Sequence, residues 1–244
     1  SLFNDPTIAA GTGLPRGLGI SAVLSELYMK YFDLDFKKIE GVYYYARFVD
    51  DIIVFCSSEA SKEIAWKYAR DELTKIGLRL NEEKSYSLNP NQDGAEFTYL
   101  GYTFKKTGNR LNVTIAQKKL NVIKTRLTRS FVRFSKDRNF TLLKLRIKFL
   151  TGNFTLYNPH TLLPIKVGIY FNYKMANNLT ALKDLDAYYQ RLLHCRTGRL
   201  GGAIALTKPH VKELEKYSFD FGYYHHVNHH FTTDQMVKIA NCWR

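Results

Sequence analysis

Apolar side chains at Ile20, Val23, Leu24, Leu27, Tyr28, Tyr31 and Phe32 recur every three or four residues, which predicts a helix over 20–32 with Ser21 placed to cap it. A loop with four glycines and a proline, "GTGLPRGLG", precedes it. The rhythm then changes. Val42 to Phe48 and residues 52–55 are rich in β-branched and aromatic residues and predict two strands joined by a turn. Ser57 or Ser58 is placed to cap a helix that runs to Ile76 and ends at Gly77. Short extended pieces are expected at 78–80, 85–88, 97–104 and 111–115. Beyond Ala116 helical spacing continues to about Phe149, and again over 162–179 and 182–195. The last fifty residues read as helical or irregular. The chain is therefore mixed helix and strand to about residue 104 and mostly helical after it.

The strand pair is interrupted by two adjacent aspartates, Asp50 and Asp51, in "FVDD". A plain hairpin turn favours Asn-Gly or Asp-Gly, and neighbouring carboxylates repel unless a cation lies between them. A solvated acidic turn is the bland alternative. Carboxylates held at a strand turn also suit a divalent metal, and a metal pair can clamp the attacking and leaving oxygens of a phosphoryl transfer.

The 244 residues carry a formal net charge of +14, and a polyanionic partner accounts for such an excess. The charge is segregated: from Lys105 to Leu150 there are fourteen Lys or Arg against one acid, Asp137. Lys118, Lys119, Lys124, Arg126, Arg129 and Arg133 recur at short spacing, as contact with a nucleic-acid backbone requires. Hydrophobic content of 45% is ample for a core, and three scattered cysteines, none in a CxxC pair, fit neither a disulfide framework nor a zinc site. No apolar run approaches the roughly 20 residues that span a bilayer. A soluble, cytoplasmic protein with no membrane partner is expected. In the tail "YHHVNHH", His225 with His229 and His226 with His230 have the i, i+4 spacing of helical zinc ligands, but a surface or RNA-facing cluster is the competing reading.

Four stretches in order resemble the reverse transcriptases, specifically the prokaryotic group of group II intron, retron and phage-defence enzymes. "GLPRGLGIS" over 13–21 is similar to the loop that lies against nucleotide and template. "FVDD" over 48–51 is similar to the metal-binding turn. "GLRLNEEKS" over 77–85 resembles the motif whose lysine serves the leaving pyrophosphate, and "FTYLGYTF" over 97–104 resembles the primer grip. The resemblance spans roughly residues 11–104. "GLPRGLGIS" with "ARFVDD" looks most like the phage-defence branch.

The resemblance implies an α+β fold: a partial polymerase palm, an antiparallel sheet with helices, over 1–104, then a mainly helical thumb and C-terminal extension over 105–244. It implies RNA-directed DNA synthesis, with Asp50 and Asp51 as ligands to two Mg2+ ions and Lys84 beside them in catalysis. Gly13, Leu14, Pro15, Arg16 and Gly17 would meet the nucleotide and template, and Tyr99, Leu100 and Gly101 would form the primer grip. The substrates would be dNTPs and the partners an RNA template and a DNA or RNA primer, with a non-coding RNA and other defence proteins as further candidates. The family's first metal-binding aspartate lies upstream of the glycine loop, so this stretch is expected to be inactive alone. Glutamine commonly stands where this chain has Arg16, and proline where it has Ala22. Arg16 lends weight to a template-independent nucleotidyl transferase, and a maturase-like RNA-binding module is the non-catalytic alternative.

Overall fold

A computed structural model describes residues 19–158, 161 and 163–243. The chain divides into two compact units, 1–88 and 89–244. This boundary falls before the strands of "FTYLGYTF", whereas the sequence reading carries the palm-like region through them.

In the first unit, helix α1 (Gly19–Phe36) leads to strands β1 (Val42–Phe48) and β2 (Asp51–Cys56) and then to helix α2 (Glu59–Lys75). β1 and β2 pair antiparallel, Tyr45 opposite Val54 and Phe48 opposite Asp51, with a bulge between Val42 and Tyr44. Both helices pack on the hairpin. Met29, Phe32 and Phe36 from α1 meet Ala65, Ala69 and Leu73 from α2, with Tyr45, Ile52, Val54 and Cys56 closing the cluster from the strands. Ser58 caps α2 by accepting from the Ser61 amide at 3.1 Å. Gly77, at φ +73°, ends it: its amide bonds Thr74 O and that of Leu78 bonds Leu73 O, the paired bonds of a left-handed helix stop.

Two expectations change here, and the buried stripe of α1 is a finding of its own. α1 begins at Gly19, so Ser21 lies inside the helix instead of capping it. Of the seven apolar positions that predict α1, only Phe32 is buried; the packed stripe is Met29, Phe32 and Phe36, and Ile20, Val23, Leu24, Leu27, Tyr28 and Tyr31 are exposed. Residues 78–80 and 85–88 join no sheet, because Leu78 and Leu80 are held by side-chain packing on the core and not by a ladder.

The second unit opens with the antiparallel meander β3 (Glu96–Tyr99), β4 (Tyr102–Thr107) and β5 (Arg110–Ile115). Helices α3 (Gln117–Asp137) and α4 (Phe140–Thr151) follow. The expected helical stretch is broken at Arg138, which adopts φ +54°. Asp137 then accepts from the Asn139 amide, and Asn139 caps α4 through the Leu142 amide. Strands β6 (Asn153–Tyr157) and β7 (Pro164–Gly168) form a second hairpin where the sequence predicts helix over 162–179. The short "PIKVG" run pairs with "NFTLY", and only α5 (Ile169–Tyr173) remains helical before α6 (Thr180–Leu193). Gly168 makes this possible: it sits at φ +124°, and a Cβ there would fall 2.5 Å from Asn153 Cα. Four further helices complete the unit: α7 (Gly198–Ile204), α8 (Lys208–Leu214), α9 (Phe219–Tyr224) and α10 (Thr233–Ala240).

The core of this unit is built on α3. Leu120, Ile123, Leu127, Phe131 and Phe134 form its buried stripe and pack with Leu143 and Ile147 of α4 and Leu182, Leu185 and Tyr189 of α6. Buried Asn153 ties the tail to this core. Its side-chain amide donates to Gly222 O and Val227 O, and its Oδ1 accepts from the Tyr170 amide at 2.9 Å. Leu127→Ala, at a position with no exposure, is expected to cost about 3–5 kcal/mol. Val122→Ala on the exposed side of the same helix should change stability by less than about 0.5 kcal/mol; urea denaturation of the two variants compares them directly.

Candidate active site and nucleic-acid face

Because Phe48 pairs with Asp51, Val49 and Asp50 are the two central residues of the β1–β2 turn. Val49 takes φ +59°, a conformation that two-residue hairpins normally give to glycine, and for a β-branched residue it costs on the order of 1–3 kcal/mol. Asp50 and Asp51 are both exposed at this turn.

Arg47, one residue before the end of β1, holds the turn from beneath. Its side chain is only 3% exposed. Nε donates to Asp33 Oδ1 at 2.9 Å; Nη2 donates to Asp33 Oδ2 at 2.7 Å and to Glu26 Oε2 at 2.8 Å. Nη1 donates to Glu26 Oε1 at 3.2 Å and to the Val49 carbonyl at 2.8 Å. All five guanidinium N–H groups are thereby placed. Tyr45 OH adds a bond to Asp33 Oδ1 at 2.5 Å. Burial pushes the Asp33 carboxyl upward, but the hydrogen bonds from Arg47 and Tyr45 outweigh it and leave the group below the usual carboxylate range. The bond to Asp33 raises Arg47 in turn, and burial followed by the same carboxylate raises Tyr45.

The aspartate pair suits a hard divalent cation, since two adjacent carboxylates supply the oxygen donors that Mg2+ prefers. Among the described residues no three His, Cys, Asp or Glu side chains converge, and Glu26 and Asp33 are committed to Arg47. The turn thus offers two donors, and a complete set needs others.

Lys84 lies on an exposed turn in which its amide bonds Asn81 O and Oδ1. Gly13, Leu14, Pro15, Arg16 and Gly17 lie outside the described residues. Leu100 and Gly101 form the β3–β4 turn with φ +49° and +87°, both left-handed, between paired Tyr99 and Tyr102. This turn meets the start of α3: the Ala116 amide bonds Gly101 O, and a Cβ on Gly101 would fall 2.9 Å from Lys119 Cε. The lysine stem therefore crosses the glycine, which brings together two positions the sequence reading assigned separately.

At 100° per residue, Lys118, Arg126, Arg129 and Arg133 share one face of α3, with Lys119 at its margin. Lys124 departs from this face. It lies on the other flank, 5.7 Å above the Tyr188 ring of α6, beside Thr128. Part of the basic face is also occupied. Arg126 stacks on Trp243 at 5.1 Å, Arg129 Nη1 donates to Trp243 O at 2.7 Å, and the indole N–H donates to Arg126 O. Arg133 pairs with Asp137 at 3.2 Å. The histidines at 225–230 fall between α9 and α10, so their i, i+4 spacing is not helical. His225 lies tilted against Phe221 and His226 against Tyr170; burial, then Lys148 and His230, hold His229 below its ordinary pKa.

Residues 4–104 match the family described as reverse transcriptase (RNA-dependent DNA polymerase). The reverse transcriptase match covers less than half of the chain but includes the aspartate turn, Lys84 and the turn at Leu100 and Gly101. It supports RNA-directed DNA polymerase activity in general, a nucleotidyl transfer that takes an RNA template and a primer and generally uses divalent metal ions. No curated protein and no solved structure matches the chain. No helix among the described residues is long and apolar enough to cross a membrane.

Sequence reasoning missed Glu26, Asp33 and Arg47. The available signal was two acids seven residues apart, hence on one helix face, within an apolar α1, together with a lone arginine in an apolar strand. A carboxyl with a lowered folded pKa stabilises the fold above its unfolded pKa of about 3.9 and loses that contribution as pH falls through the folded value. The first unit should therefore lose stability steeply below about pH 4. Asp33→Asn should lower stability at neutral pH by about 2 kcal/mol and flatten that acid limb, as thermal melts from pH 2 to 7 would read.

Proposed function

We propose that this chain carries part of a prokaryotic reverse transcriptase that copies RNA into DNA by two-metal nucleotidyl transfer, in the service of antiviral defence. The observation that supports it most is the aspartate pair on a strand turn inside the matched region, with Arg47 already neutralised by other acids. In this reading Asp50 and Asp51 would hold Mg2+, which supplies charge stabilisation at the reacting phosphate and at the primer hydroxyl. Lys84 acts as a cation and proton donor toward the departing pyrophosphate. Gly13, Leu14, Pro15, Arg16 and Gly17 bear on the nucleotide and template. The turn at Leu100 and Gly101, with Tyr99 and the overlying Lys119, bears on the primer end.

The helical part of the second unit, from residue 105 on, acts as the thumb. Lys118 and Lys119 begin α3, where their charge adds to the positive end of the helix dipole and suits phosphate. The defence assignment, with a non-coding RNA and defence proteins as partners, rests on the likeness of "GLPRGLGIS" and "ARFVDD" to that branch. A template-independent transferase is favoured by one observation only, Arg16 in place of the usual glutamine.

Magnesium-dependent primer extension on an RNA template, by the natural full-length protein, tests the reading. Sequenced products should copy the template, and Asp50→Asn or Asp51→Asn should reduce them at least about a hundredfold. Products unrelated to the template would establish the template-independent transferase, and variants as active as the wild type would remove the aspartates from catalysis. For the thumb, replacing both Lys118 and Lys119 with Ala should weaken RNA–DNA duplex binding regardless of sequence. It should also reduce the slope of log K against log salt by roughly 2, read by fluorescence anisotropy across a salt series.

A further inference from the structure

We propose that Arg47 is the positioning residue of the catalytic turn: it fixes the backbone on which Asp50 and Asp51 stand, and its charge is withheld from them by Glu26 and Asp33. The inference deepens the polymerase reading and rests on it for the identity of the reacting turn.

Val49 occupies a left-handed conformation that its branched side chain disfavours, so something outside the turn must over-determine it. The Nη1 bond to the Val49 carbonyl at 2.8 Å is an arginine contact to the turn's own backbone. A carbonyl fixed in direction fixes the Val49–Asp50 peptide plane, and with it the direction from which the Asp50 side chain leaves the chain.

A guanidinium three residues from one aspartate and four from the next is, by itself, a competitor for any cation they would bind. Here it is satisfied elsewhere. Asp33 takes Nε and Nη2, Glu26 takes Nη1 and Nη2, and both acids stand on α1, one helix face above the strand. One cation against two carboxylates leaves the cluster with net negative charge, which favours divalent cations nearby. Lysine could not substitute, because one ammonium cannot span two carboxylates and a carbonyl in a planar fork. The same arrangement makes α1 the support of the turn, since Glu26 and Asp33 are two helical turns apart on that helix.

The test uses the full-length protein and two variants, Arg47→Lys and Glu26→Gln, the second being the milder because Glu26 is largely exposed. Hydrogen–deuterium exchange over peptides covering residues 46–53 is measured without metal, beside thermal melting. Mn2+ binding is followed from the electron paramagnetic resonance signal of the free ion. Arg47→Lys should melt below wild type and Glu26→Gln within a few degrees of it; both should exchange faster at this turn, and Mn2+ affinity should fall about tenfold or more in Arg47→Lys. Unchanged exchange at the turn, or Mn2+ affinity equal to wild type in Arg47→Lys, overturns it. If Arg47→Lys does not fold, Glu26→Gln decides by the same two readouts. Wild-type Mn2+ binding that is indifferent to Asp50→Asn and Asp51→Asn would sink the polymerase reading of the turn, while faster exchange in the variants would still establish Arg47 as its support.

Discussion

One buried guanidinium organises the first unit. Arg47 joins α1, β1 and the β1–β2 turn through five N–H groups, and so ties the strained Val49 backbone to a helix. Taking an arginine out of water is costly unless its charge and all its donors are met. Glu26, Asp33 and the Val49 carbonyl meet that requirement together, with the Tyr45 hydroxyl donating to Asp33. Removing one partner therefore does more than delete one hydrogen bond, because the remaining charges are left in a poorly solvated place.

The second unit is organised differently, by a conventional apolar stripe on α3. That stripe leaves the opposite side of the helix to polar residues, and lysine and arginine occupy it. The structure then divides the basic residues in a way that composition does not show. Arg126 and Arg129 hold the C-terminal Trp243 and Arg133 holds Asp137, whereas Lys118 and Lys119 sit at the start of the helix beside the turn at Leu100 and Gly101.

Much of this was legible in the residues. The β1–β2 hairpin and the stop at Gly77 follow from local chemistry and are read directly, and the cap is narrowed to Ser57 or Ser58, of which the structure uses Ser58. The "PIKVG" strand was hidden because a five-residue run in an otherwise helical context becomes a strand only when its partner, residues 153–157, is known. The buried stripe of α1 was not legible for a related reason: helical spacing reveals a helix but not which of its apolar residues the fold covers. At the site, Asp50 and Asp51 stood out as an anomaly in an apolar segment. Arg47 did not, since its partners lie 14 and 21 residues away on another element and no local pattern links them.

The most direct measurement is a crystal structure of the full-length protein grown with Mn2+ and refined against anomalous differences. The account predicts a peak at about 2 Å from carboxylate oxygens of Asp50 and Asp51, with Arg47 still bonded to Val49 O, Glu26 and Asp33. A turn with no peak, or one in which Arg47 has swung to pair with Asp50, would contradict it.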